Sequence, residues 1–169
     1  PESVKTHRLY TWFKNLDNTL GWLKWWDMVI LAARPSMWKT AFSLNLAQNI
    51  WFNWKNVAIF SLEMSKEQLT DRMISSSIWI NSWKLAKWEL EDDEFARLWE
   101  AMEKLSKANI YIDDSAWWSL TDLKSKSRRL KMEAWLDLIV IDYLQLMSNW
   151  NSLNRVQEIS EISRWIKSL

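Results

Sequence analysis

Lys39 and Thr40 close the run Ala33-Arg34-Pro35-Ser36-Met37-Trp38. A Lys-Thr pair placed there suits a nucleoside triphosphate: the ammonium reaches the β- and γ-phosphates, and the hydroxyl binds Mg²⁺. The phosphate-binding loop that works this way has four variable residues followed by Gly-Lys-Thr. Here Ala33 takes its first position and Trp38 stands where glycine is required. Consecutive backbone N–H groups and a helix N-terminus surround the anion in such a loop. The candidate phosphate cradle is therefore Arg34, Pro35, Ser36, Met37, Trp38, Lys39, Thr40 and Ala41. An indole at a bend that often needs positive φ distorts that cradle, so Trp38 as written predicts negligible ATP binding.

Two carboxylates complete the chemistry. Asp142 ends the apolar run Leu138-Ile-Val-Ile. Parallel strands end at the ligand-binding edge of a sheet, so Asp142 is placed to support Mg²⁺ through its water shell. Glu63 follows another apolar run, in Ser61-Leu62-Glu63-Met64. It faces the same edge and can polarise an attacking water. Lys39 and Glu63 are the candidate catalytic residues, ATP and Mg²⁺ the candidate ligands, and Thr40 and Asp142 the candidate metal residues.

Other polar groups read more plainly. Asp113 and Asp114 also follow a strand and are weighed as structural. Lys124, Lys126, Arg128, Arg129 and Lys131 form a basic helix, read as a solvated face, with subunit or DNA contact as the lesser reading. The polar stretch holding Asn149, Asn151, Asn154 and Arg155 directly follows Asp142's strand. In a ring-shaped ATPase that place can point into the pore and meet phosphates, which makes these four the candidate DNA-binding residues. His7 has no partner pattern and reads as a surface residue.

The elements that must position these groups follow from hydropathy. Asp27–Ala33, Val57–Leu62, Asn109–Asp113 and Leu136–Asp142 are short apolar runs suited to buried parallel strands. Helices are expected over 40–50, from 65 to about 77, over 92–106, from 119 to about 134, and over 155–169. Ser65-Lys-Glu-Gln68 is a capping box. Phe95, Leu98, Met102 and Leu105 share one face of the 92–106 helix. Alternating strands and helices at short spacing mean an α/β fold, a mostly parallel sheet with helices on both faces. Residues 1–24 read as a lead-in or linker. Residues 25–169 read as a partial ATPase domain, because the pattern stops on a helix with no returning strand.

Composition is ordinary but for one feature. Charge is near balance, with 22 Lys and Arg against 21 Asp and Glu, so any nucleic-acid contact rests on a local patch. Cysteine is absent, which excludes disulfides, zinc fingers and thiol chemistry. No apolar run approaches the length of a membrane helix, and the polar start at 1–10 is no signal peptide. The anomaly is one glycine beside sixteen tryptophans, where average usage predicts roughly 12 glycines. The tryptophans fall on turn positions, such as Asn53-Trp54-Lys55, Trp25-Trp26-Asp27, Ala116-Trp117-Trp118-Ser119 and Asn149-Trp150-Asn151. Glycine is the usual residue at such places. We expect most of these tryptophans to stand where the natural sequence has glycine.

The strings Ala-Ala-Arg-Pro-Ser-Met-Trp-Lys-Thr-Ala-Phe, Phe-Ser-Leu-Glu-Met-Ser, Ile-Val-Ile-Asp-Tyr-Leu-Gln-Leu-Met and Glu-Ile-Ser-Arg occur in that order. Together they resemble the C-terminal motor domain of DnaB-type replicative DNA helicases, from about Thr11 to Leu169. The resemblance implies a RecA-like ATPase that forms a hexameric ring around single-stranded DNA, translocates on ATP and unwinds duplex DNA. It implies that Lys39 and Thr40 bind nucleotide and Mg²⁺, Glu63 activates water, Asp142 supports the metal and 148–155 faces DNA. It places a γ-phosphate-sensing Gln, on a strand that inserts centrally in the sheet, beyond Leu169, and with it the Arg that completes a neighbour's site. It also implies primase and loader partners through regions outside this chain, a cytoplasmic bacterial or phage-infected setting, and no membrane. The rival readings are a RecA-like recombinase or other ring ATPase, and a non-catalytic nucleotide-binding assembly module.

Overall fold

A computed structural model describes residues 8–24, 27–34, 37–115 and 120–142, with 160, 163, 164 and 167. Its centre is a parallel sheet of β3 (Val57–Ser61), β4 (Ile110–Asp113) and β5 (Leu138–Asp142), in the order β4-β3-β5. Val57 pairs with both Ile110 and Leu138, and Ser61 pairs with Asp142. The central strand β3 is buried along its whole length. Successive side chains of a strand point to opposite faces, and here each face meets its own layer of helices. Val57 and Ile59 pack with Leu44, Ala47, Ile50, Leu69 and Met73, from α2 (Lys39–Trp51) and α3 (Lys66–Ile78). Ala58 and Phe60 pack with Leu123 and Leu130 of α6 (Leu120–Ala134). The expected α/β sandwich, with helices on both faces, is therefore present.

Several element boundaries agree with the sequence patterns to within a few residues. Ser65 caps α3 through a capping box, its hydroxyl accepting from the Gln68 N–H while the Gln68 side chain accepts from the Ser65 N–H. The stretch around 78–90 contains a short helix, α4 (Ser82–Ala86), capped by Asn81. In α5 (Asp92–Ser106) the buried residues are Leu98 and Ala101, whereas Met102 is exposed. Ala101, not Met102, thus carries the packed face. Ahead of the sheet, β1 (Arg8–Leu9) and β2 (Leu23–Lys24) pair antiparallel around α1 (Lys14–Leu20). This unit is tied to α2 by the Asn49 side chain donating to the Thr11 carbonyl and by stacking of Phe13 on Phe42.

One expected strand is absent. Residues 27–34 join no sheet, and Val29, Ile30 and Leu31 are exposed. An apolar run of this kind suits a strand with neighbours on both sides, and no other described strand lies against it. The expectations for Pro35, Ser36, Ser119, Trp25-Trp26, Trp117-Trp118, Trp150 and nearly all of 143–169 lie outside the described residues.

The tryptophans explain themselves through backbone angles. Among the described residues every non-glycine with positive φ is a tryptophan: Trp12, Trp22, Trp38, Trp54, Trp79, Trp88 and Trp135, with φ from 48° to 67°. Gly21 has φ 69°. Gly21 and Trp79 end α1 and α3 in the same way, in left-handed conformation with the N–H bonded to the carbonyl four residues back. That is the helix end at which glycine is favoured. A side chain there costs about 1–2 kcal/mol. Seven such sites approach the whole stability of a domain, about 5–15 kcal/mol. Among the described residues Trp51, Trp83 and Trp99 are the exceptions to the turn pattern, since they lie within α2, α4 and α5.

Candidate functional site

The groups singled out in the sequence meet at one end of the sheet. Lys39 and Thr40 open α2, and Asp142 ends β5. The parallel register brings the ends of β3 and β5 level, and the Leu62 N–H donates to the Asp142 carbonyl. Asp142 is buried, and both its oxygens are engaged. Oδ1 lies 2.6 Å from Lys39 Nζ, and Oδ2 accepts from Thr40 Oγ1 at 2.6 Å. Residues about a hundred positions apart in the chain thus form one charge-assisted cluster.

This cluster lies in an open cleft of about 1490 Å³, which is also lined by Glu63, Arg34, Met37, Trp38 and Ala41. Glu63 is exposed and follows β3 directly, on the same sheet edge. Parallel strands point their carboxyl ends at this edge, and α2 points its N-terminus at it, so the edge is suited to an anion. Thr40 and Asp142 offer hard oxygen donors within reach of one another, a set that fits Mg²⁺ completed by phosphate and water oxygens. Trp38 is the misfit. It is the N-cap of α2 at φ 58° and is 80% exposed, with its side chain carried on the bend of the cradle. Of the expected site residues, Pro35, Ser36, Asn149, Asn151, Asn154 and Arg155 lie outside the described residues.

The neighbouring acids take structural roles, as the sequence suggests. Asp113 accepts from Lys126 Nζ at 2.7 Å and from the Ser115 hydroxyl. Burial pushes its carboxyl up, but Lys126 and Ser115 outweigh this and hold it below the usual aspartate value. Asp114 accepts from the Lys66 N–H at the start of α3. The basic helix α6 splits its charges: Lys126 pairs with Asp113, and Arg129 pairs with Glu133. Sequence reasoning passed over Arg128 and Lys131 as cleft residues. Both line the cleft, and only the packing of α6 on the sheet reveals it.

The sequence pattern of the DnaB-like helicase C-terminal domain matches residues 9–169. The chain belongs to this family. It is 48% identical over 162 residues to the replicative DNA helicase DnaB of Geobacillus stearothermophilus, and 45% identical over 162 residues to the replicative DNA helicase DnaC of Bacillus subtilis. Each comparison covers 94% of this chain and 36% of the relative. This DnaB-like chain therefore spans about a third of the length of those relatives. Two solved structures superpose with TM-score 0.87 at 35% identity. One is an ATPase domain, covered over 58% of its chain. The other is a DnaB-like replicative helicase described with its primase interactions, covered over 39%. Each match takes in 95% of this chain. The chain is thus part of a DnaB-like helicase C-terminal domain, homologous to replicative DNA helicases. No helix among the described residues is long and apolar enough to cross a membrane.

Proposed function

We propose that this chain is the nucleotide-hydrolysing part of a replicative DNA helicase motor, with 1–24 as its lead-in and 25–169 as part of the ATPase domain. The convergence of Lys39, Thr40 and Asp142 at the carboxyl edge of the sheet carries the reading. In it, ATP enters the cleft and Lys39 leaves Asp142 to hold the β- and γ-phosphates. Thr40 would hold Mg²⁺ and Asp142 would support it through its water shell, and the ion would neutralise charge on the phosphate oxygens. Arg34, Pro35, Ser36, Met37, Trp38 and Ala41 form the loop around the phosphates. Glu63 accepts a proton from the water that attacks the γ-phosphorus, while the bond from that phosphorus to the β,γ-bridging oxygen breaks and ADP leaves with inorganic phosphate.

Membership of the family supports a wider reading. The full protein forms a six-membered ring, moves on single-stranded DNA and unwinds duplex DNA at the replication fork, in the cytoplasm of a bacterial or phage-infected cell. Asn149, Asn151, Asn154 and Arg155 contact the DNA phosphates. Primase and a loader engage regions outside this chain. Trp38 favours one rival, a non-catalytic assembly module whose motor is lost through the side chain on the bend of the cradle. DNA-stimulated ATP hydrolysis by the full-length protein decides between them. Stimulated turnover that is lost in Lys39→Ala supports the motor. No turnover, with or without DNA, supports the module.

A further inference from the structure

We infer that Trp12, Trp22, Trp38, Trp54, Trp79, Trp88 and Trp135 are glycines in the polypeptide that the source cell makes, each specified by a UGA codon that its ribosomes decode as glycine. The backbone carries this independently of the function proposed above. Left-handed conformation among the described residues occurs at Gly21 and at these seven tryptophans, and at no other residue type. Asn and Asp are the non-glycine residues most tolerant of this conformation. The chain has many of each, yet none of those described occupies it. A bulky aromatic is among the least tolerant.

The indoles gain nothing in return at several of these places. Trp54 is 93% exposed and Trp79 92% exposed. The single glycine in the chain completes the pattern. One residue type has been exchanged for one other at helix ends, turns and the phosphate loop alike. No shared packing environment or surface links these positions. What they share is a backbone need, so the common cause lies in how a codon is read. UGA is the codon that fits, because it lies one base from the tryptophan codon UGG and one base from the glycine codon GGA. Trp51 is half-buried and packed on the core of α2 and β3, where an indole has contacts to make, and lies outside the inference.

The test reads the gene and the protein from the source cells together. Tryptic peptide 25–39 carries position 38, and peptide 73–84 carries position 79. The expected result is UGA at all seven codons, with fragment ions placing glycine at positions 38 and 79. Each of these positions is then lighter by an indolylmethyl group exchanged for hydrogen. Tryptophan at either position in the native peptides overturns the inference. So does UGG or a GGN codon at any of the seven, since decoding would then need no change. Nucleotide binding plays no part in the outcome. A native protein with glycine at 38 that binds no ATP would leave this inference standing and remove the proposed function.

Discussion

Asp142 holds Lys39 and Thr40 at once, and that contact sets what single substitutions should do. The three residues were legible in the sequence because each sits at the junction of an apolar run and a polar turn, where strand ends must fall. Trp38 was legible as a conflict, and the structure gives the conflict an angle, φ 58°. In the protein expressed as written, Trp38→Gly removes the Cβ from a left-handed bend and frees the mouth of the cradle. It should raise Mg-ATP affinity at least tenfold, measured by calorimetric titration, and an unchanged affinity would show that the loop tolerates the indole. Glu63 calls for a different readout, because it is exposed on the sheet edge and is placed to act on water. In the full-length protein, Glu63→Gln should lower kcat by about 10²–10⁴-fold and leave nucleotide binding nearly intact. Loss of binding as well would make Glu63 a ligand residue and not a base.

At the scale of elements, α3 offers a matched pair of tests. Its N-terminus has the hydroxyl acceptor that the capping box predicts, and its C-terminus has an indole where glycine suits the backbone. Ser65→Ala should destabilise the fold by about 1 kcal/mol, and Trp79→Gly should stabilise it by about 1–2 kcal/mol. Urea unfolding of the two variants should therefore shift the midpoint in opposite directions. The link between β4 and α6 adds a pH signature. Asp113 is held below its ordinary value of 3.8, so the native state favours its charged form. Its contribution to stability is present above that value and fades as pH falls through the lowered one. Lys126→Met should cost stability at neutral pH and converge with the parent protein in acid. A constant difference across that range would mean that Lys126 acts through packing of its stem. These elements were legible because their signals are local: the capping box of α3, the apolar face of α5 and the basic residues of α6. The side-chain partner of Asp113 was not, since the sequence does not say which helix faces β4.

For the whole molecule, β3 was readable as a strand, but its place at the centre of β4-β3-β5 was not, because register and order depend on contacts distant in the chain. The run 27–34 shows the same limit from the other side. Its residues are as apolar as those of β3, yet apolar character fixes only what a segment can bury, not which edge it finds. Among the described residues it stands apart from the sheet, and it shares the walls of the open cleft with β5. Hydrogen exchange separates the two runs directly. Amides at 58–60 are enclosed by strands on both sides and by helices on both faces. They should exchange among the slowest in the chain, near the rate set by global unfolding. Amides at 28–33 should exchange orders of magnitude faster, since no sheet bonds hold them. If 28–33 proves as protected as β3, the segment is paired in solution, and the open cleft between it and β5 is closed by a strand-to-strand contact. Nucleotide then has to enter a narrower site than the one described, and Lys39 must be released from Asp142 without that opening.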